Sequence, residues 1–118
     1  MNTKSFDNRN LFLTLFGGIL VVMLVVTTWA SLQESIIVGG EKLFQEPWGI
    51  ATLADAYFGF LTFFVWVAYK EVTFVKRMVW LILILILGNI AMSVYVLLQI
   101  VRLPKGQPFD RILLRNQA

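Results

Sequence analysis

Residues 78–101, MVWLILILILGNIAMSVYVLLQIV, decide how this chain folds. A helix needs about 20 mostly apolar residues at 1.5 Å each to cross a bilayer, and this stretch is long enough. Leu81–Leu87 is apolar all round and suits a lipid-facing or partner-facing surface. The interior departs from large aliphatic residues at Gly88, Asn89, Ala91, Ser93 and Tyr95. Read as one continuous helix, 78–101 is a spanning segment. Working outward, residues 48–69 and 11–31 meet the same requirement. The expected architecture is therefore an all-α integral membrane protein. It has three transmembrane helices in a small bundle, the second and third forming an antiparallel hairpin, within a single domain over 1–118.

Composition agrees. The chain has 118 residues, 58% hydrophobic and 14% charged, against about 25% charged in an average soluble domain. So short a chain has too little interior to bury that much Leu, Ile, Val and Phe. With no Cys and no His, disulfides, thiolate nucleophiles, histidine bases, the usual zinc sites and His-ligated haem are excluded. The first apolar run follows Lys4 and Arg9 as a secretory signal would, but a signal's apolar core runs about 7–15 residues. LFLTLFGGILVVMLVVTTWA is long enough to span, so a retained helix is expected.

Trp and Tyr favour the two membrane interfaces. Trp29 and Trp48 would mark one; Trp66, Tyr69, Lys70 and Trp80 would mark the other. Between the first two spans, Ser35–Val38 and Lys42–Phe44 suit the headgroup region, and Glu46-Pro47-Trp48 gives the second helix a defined start. After the third, Pro104, Gly106 and Pro108 break the chain ahead of a short amphipathic stretch over 109–115, consistent with an interfacial helix. Three spans divide the ten cations equally between the two sides. The short 70–77 connection and the cations before the first helix break the tie. The N-terminus is expected in the cytoplasm and the C-terminus outside, in a bacterial inner membrane or its equivalent.

Polar residues inside spans are costly and call for partners. Asp55 lies seven residues past Trp48, roughly 10 Å deep at helical rise, with Ala51, Gly59 and Thr62 on its face. If Val101 returns to the Trp48 interface, Ser93 and Tyr95 reach the depth of Asp55. A polar cluster of Asp55, Ser93 and Tyr95, joined by Asn89 or Thr28, is then expected. One reading makes it a packing lock; the other makes Asp55 a proton-titrating or ligand-binding acid. The lock is favoured, because no second acid, Lys, Arg or His stands within reach to form a relay. The Phe58, Phe60, Phe63, Phe64 run suits lipid contact or helix packing, or more rarely a groove for a quinone, pigment or acyl chain.

The segments EPWGIATLADAYFGFLTFFVWVAYKE and WLILILILGNIAMSVYVLLQ together resemble a family of small plant and bacterial membrane proteins, domain of unknown function 1475. The resemblance rests on Pro47, Trp48, Asp55, Tyr57, Trp66, Tyr69, Lys70, Glu71, Gly88, Asn89 and Tyr95. It covers roughly 46–100, leaving the first helix and the C-terminal tail outside. It implies no activity and strengthens the case that Asp55 has a role.

The functional expectation is a non-enzymatic accessory, assembly or peripheral subunit packing against a larger membrane complex. Lipids would be its other partners; no nucleic acid, metal or cofactor is required. The alternative is a small binding or transport module in which Asp55 recognises a proton, a cation or the polar head of a hydrophobic ligand.

Overall fold

The computed structural model describes residues 3–103 and 109–114, with the side chains of 9–103 and 111–114. Among these the chain is helical throughout: α1 (Thr3–Gln33), α2 (Ile36–Phe44), α3 (Pro47–Lys70), α4 (Phe74–Leu87), α5 (Asn89–Arg102) and a short 3-10 helix, η1 (Phe109–Leu113). Local sequence sets the boundaries. Ser35 caps α2 by accepting the Val38 N–H at 3.2 Å. Pro47 opens α3 at its first turn, and Thr73 caps α4 through the Lys76 N–H at 3.4 Å. α2 is a helical version of the expected headgroup segment, and it buries none of its residues.

The expected third span is not one helix. Gly88 has φ +58° and ψ −125°, the one positive φ among the described residues. That conformation is open to glycine and strained for other residues. A side chain is also excluded by space: a Cβ at Gly88 would stand 2.8 Å from Cζ of Phe60. The chain reverses there. Along a straight helix Trp80 and Tyr95 would be about 22 Å apart; their ring centroids are 4.8 Å apart. α4 and α5 thus form a hairpin of two 14-residue arms, each about 21 Å long and shorter than the roughly 30 Å hydrocarbon core. α5 therefore runs antiparallel to α4, and to α1 on its other side, while α3 packs against α4.

The reversal returns the C-terminal part of the chain to the end where α1 begins, called the base below. Arg9 donates from Nη1 to the Leu103 carbonyl at 3.2 Å. Phe12, Leu13 and Phe16 of α1 pack on Val96 and Ile100 of α5, and Ile112 of η1 joins them. The expectation that Val101 lies near Trp48, with the tail leaving on the side opposite Arg9, is corrected accordingly. η1 occupies part of the expected interfacial stretch; Pro104, Gly106, Pro108 and Arg115 lie outside the described residues.

The hairpin reaches only part-way along its neighbours. Gly88 abuts Phe60, and the Leu85 carbonyl accepts the Tyr57 hydroxyl at 3.3 Å. Beyond that level every α1 residue from Leu24 to Gln33 is exposed. Two helices are long and apolar enough to cross a membrane, Arg9–Gln33 and Pro47–Lys70. Their most apolar windows are 0% and 6% buried, unlike the core helix of a globule.

Replacing Gly88 by Ala is expected to cost about 1–3 kcal/mol through its backbone conformation, seen as a lower melting midpoint in detergent. Gly18→Ala, where nothing lies within 4 Å of the new methyl, should be neutral or stabilising by up to about 1 kcal/mol. Equal midpoints for the two variants would contradict the reversal.

Candidate functional site

Three helix segments meet at the base around one phenol. α3 offers Phe63, Trp66, Val67 and Lys70 at helical spacing, with Glu71 as its C-cap. α4 brings Trp80 and Ile84, and α5 brings Ala91 and Tyr95. Tyr95 is wholly buried. Phe63, Trp66 and Trp80 meet its ring edge-to-face at centroid distances of 6.0, 5.5 and 4.8 Å. Such pairs contribute about 0.5–1.5 kcal/mol each.

The Tyr95 hydroxyl donates to Oε2 of Glu71 at 2.7 Å, a bond between groups 24 residues apart. Glu71 is itself only 3% exposed. Its backbone is held as firmly: its N–H donates to the Val67 carbonyl at 2.8 Å, and its carbonyl accepts Nε of Arg77 at 3.0 Å. Beside it, the buried Lys70 ammonium donates to the Leu114 carbonyl at 2.9 Å and stands 6.0 Å from the centre of the Trp66 ring. Trp66 Nε1 donates to the Leu113 carbonyl at 3.3 Å. The end of η1 is thus fastened to the last turn of α3 by a cation and an indole. Among the described residues, no buried side-chain nitrogen or oxygen lacks a hydrogen-bond partner.

The expected cluster is not assembled. Asp55 is exposed on α3, and no hydrogen bond or ion pair engages it among the described residues. Asn89 is exposed at the hairpin tip, and Thr28 is exposed on α1. Ser93 and Tyr95 are buried on α5, but the acid that Tyr95 meets is Glu71. The cause is the reversal at Gly88, which carries Tyr95 toward the Lys70 end of α3 and away from the Trp48 end. The anchors divide in the same way. Trp29, Trp48 and Tyr69 are exposed, as interface residues would be, whereas Trp66, Trp80 and Lys70 point inward. Phe60, Phe63 and Phe64 pack in the core, with Phe58 exposed.

The partner that sequence reading missed is Glu71, named there only among the residues that carry the resemblance. A signal existed: Gly88-Asn89 is a breaker pair, and Trp80 and Tyr95 stand almost symmetrically about it. Folding the run at Gly88 brings those rings together.

Chemically the pair is sealed. With Tyr95 at 0% and Glu71 at 3% exposure, no substrate reaches either group in this conformation, so the arrangement acts as a lock. Among the described residues no three acidic side chains gather as a metal site.

The model of the family described as "Protein of unknown function (DUF1475)" matches residues 4–118. The chain belongs to the DUF1475 family. The match takes in α1 and the C-terminal segment, well beyond the 46–100 stretch that carried the resemblance, so α1, the hairpin and η1 all fall within one family unit. No curated protein and no solved structure matches the DUF1475 chain significantly.

Tyr95→Phe removes the donor to a buried acid and should cost about 1.5–3 kcal/mol, the range for hydrogen bonds to charged groups. Chemical unfolding of both chains in detergent micelles, followed by far-ultraviolet circular dichroism, measures it. A loss below about 0.5 kcal/mol would show that the pair is not a lock.

Proposed function

We propose that the DUF1475 chain is a non-enzymatic integral membrane protein that packs as an accessory or assembly subunit against a larger membrane complex. The observation that carries this reading is the unpartnered half of the molecule. Leu24–Gln33 is exposed throughout, with Val25, Trp29 and Leu32 at 62%, 62% and 80%. On α3, Trp48, Ile50, Asp55 and Phe58 are exposed as well. Lipid suits the aliphatic and aromatic groups. It does not suit a carboxylate, which costs about 2.5–3.5 kcal/mol at a helix centre on insertion scales. A protein partner accommodates both.

In this reading α1 and α3 cross the bilayer and the α4–α5 hairpin enters from the base without crossing. The chain's charge supports one orientation. Arg9, Lys70, Lys76, Arg77, Arg102 and Arg111 gather at the base with Glu71, whereas the other end holds Lys42 with Glu34, Glu41 and Glu46. Cations near the ends of spans favour the cytoplasm. The base is then cytoplasmic, with Arg9 and η1 on the same side of an inner membrane or its equivalent. The equal division of cations disappears with the third crossing.

A second reading, a module in which Asp55 recognises a proton, a cation or a ligand's polar head, draws on the level of the hairpin tip. Transporters place broken helices and their binding sites near the midplane, and Asp55 lies five residues before Phe60, the α3 residue that meets the Gly88 break.

Two measurements test the first reading. Impermeant maleimide added to intact cells should label Ser35→Cys and spare Leu114→Cys; labelling of both from outside would sink the re-entrant arrangement. Extraction from native membranes in a mild detergent should bring other membrane proteins with the chain in fixed ratio. Recovery of this chain alone would defeat the subunit reading.

A further inference from the structure

We infer that the base of the molecule is a docking surface for the anionic headgroups of the phospholipid leaflet around it, engaged by Lys76, Arg102 and Arg111. The inference rests on the membrane reading above and adds a lipid partner to it.

A leaflet encircles the chain, so residues that meet its headgroups need share only a level along the long axis, not a face. Contacts within the fold set that level. Arg77 of α4 reaches the Glu71 carbonyl, and Lys76 precedes it. Lys70, beside Glu71, reaches the Leu114 carbonyl, and the Leu114 N–H donates to the Arg111 carbonyl at 3.1 Å. Ile112, next to Arg111, lies in one cluster with Ile100 and Phe12, two residues before Arg102 and three after Arg9. Leu103, which follows Arg102, accepts Arg9 on its carbonyl. Both candidate spans end at this level, at Arg9 and Lys70. In the membrane reading it is where hydrocarbon gives way to headgroups.

The fold engages half of these cations itself. Arg9, Lys70 and Arg77 each donate to a backbone carbonyl. Lys76, Arg102 and Arg111 are exposed and make no hydrogen bond or ion pair with the described residues. Lys76 stands in the first turn of α4, which holds no acid, at the positive end of the helix dipole, where a cation is disfavoured. Helix stability gives no reason for it there, and an anion beside it does. The six described cations of the base outnumber its acids even with Asp7 and Asp110 counted beside Glu71. Apolar side chains accompany the charge: Phe74 and Val75 at the start of α4, and Leu113 and Leu114 beyond Arg111, are exposed. Cations mixed with exposed apolar groups suit an anionic bilayer surface, where the apolar groups enter the acyl boundary and the cations stay among the headgroups. An acidic protein segment accounts for the cations alone.

The test uses the full chain in phosphatidylcholine bilayers carrying a trace of spin-labelled lipid. In the motionally restricted layer around the protein, spin-labelled phosphatidylglycerol should be enriched about fivefold over spin-labelled phosphatidylcholine, from roughly one cation per bound headgroup. High salt should bring the parent chain near parity, a result that does not depend on how any variant folds. The triple variant Lys76→Gln, Arg102→Gln, Arg111→Gln should reach parity at low salt, while Lys42→Gln at the opposite end keeps the preference. If the parent chain shows no preference, the proposal fails. If the triple variant prefers phosphatidylglycerol as strongly as the parent, the headgroups bind elsewhere and the proposal fails, leaving an acidic protein segment as the occupant of the base. Alkaline carbonate washing of native membranes separates the two levels of failure. A chain that stays in the bilayer without the preference loses this proposal only, and a chain that is stripped off loses the membrane reading as well.

Discussion

The reversal at Gly88 is the constraint from which the rest of the structure follows. A positive φ and the contact with Phe60 leave room for glycine and not for a side chain. Without it, the run from Met78 to Val101 would be a straight helix of about 35 Å, ending beside Trp48. With it, the same residues form two 14-residue arms, each about 21 Å long and shorter than a bilayer's hydrocarbon core. α1 receives its packing partner in this way, because Val96 and Ile100 come to lie along Phe12 and Phe16.

A reversal alone would not hold two apolar arms together, since lipid is as good a solvent for Leu and Ile as another helix is. Specific contacts at the open end of the hairpin do that. Tyr95 is enclosed edge-on by three aromatic rings, and its hydroxyl reaches Glu71 at the C-cap of α3. Arg77 fixes the Glu71 carbonyl from α4. Three helices are therefore joined by one buried residue pair, and Lys70 and Trp66 extend the same joint to η1. By contrast, the Lys42–Glu34 ion pair at the other end is exposed on both sides and adds little, as surface pairs usually do.

Much of this was legible in the sequence. The helical class, the two long apolar helices and the Pro47 start followed from composition, residue type and segment length, which are local properties, and the family from the resemblance carried by 46–100. Hairpin geometry was not local. LILILIL reads identically whether the helix continues or folds back, and only Gly88-Asn89 distinguishes the cases. Glycine is also common in straight membrane helices, so the pair could be read as a small-residue contact. That single choice set the depth of everything after it. Tyr95 was assigned to Asp55 and not to Glu71, Trp80 became an anchor and not a wall of the Tyr95 enclosure, and Arg102 and Arg111 were placed at the end opposite Arg9.

Charge and polarity now describe the molecule along its long axis, which extends 52 Å. The base holds nearly all the described cations, and the acid of its core, Glu71, is buried against Tyr95. The far end is acidic, and between them stands Asp55. Each buried polar side chain in the lower half has a partner within the chain, so that half is complete as a folded unit. In the outer half α1 is exposed from Leu24 to Gln33 and α3 carries an exposed carboxylate. The two halves therefore differ in how far the chain satisfies its own polar groups: the base encloses the acid Glu71, and α3 leaves the acid Asp55 exposed.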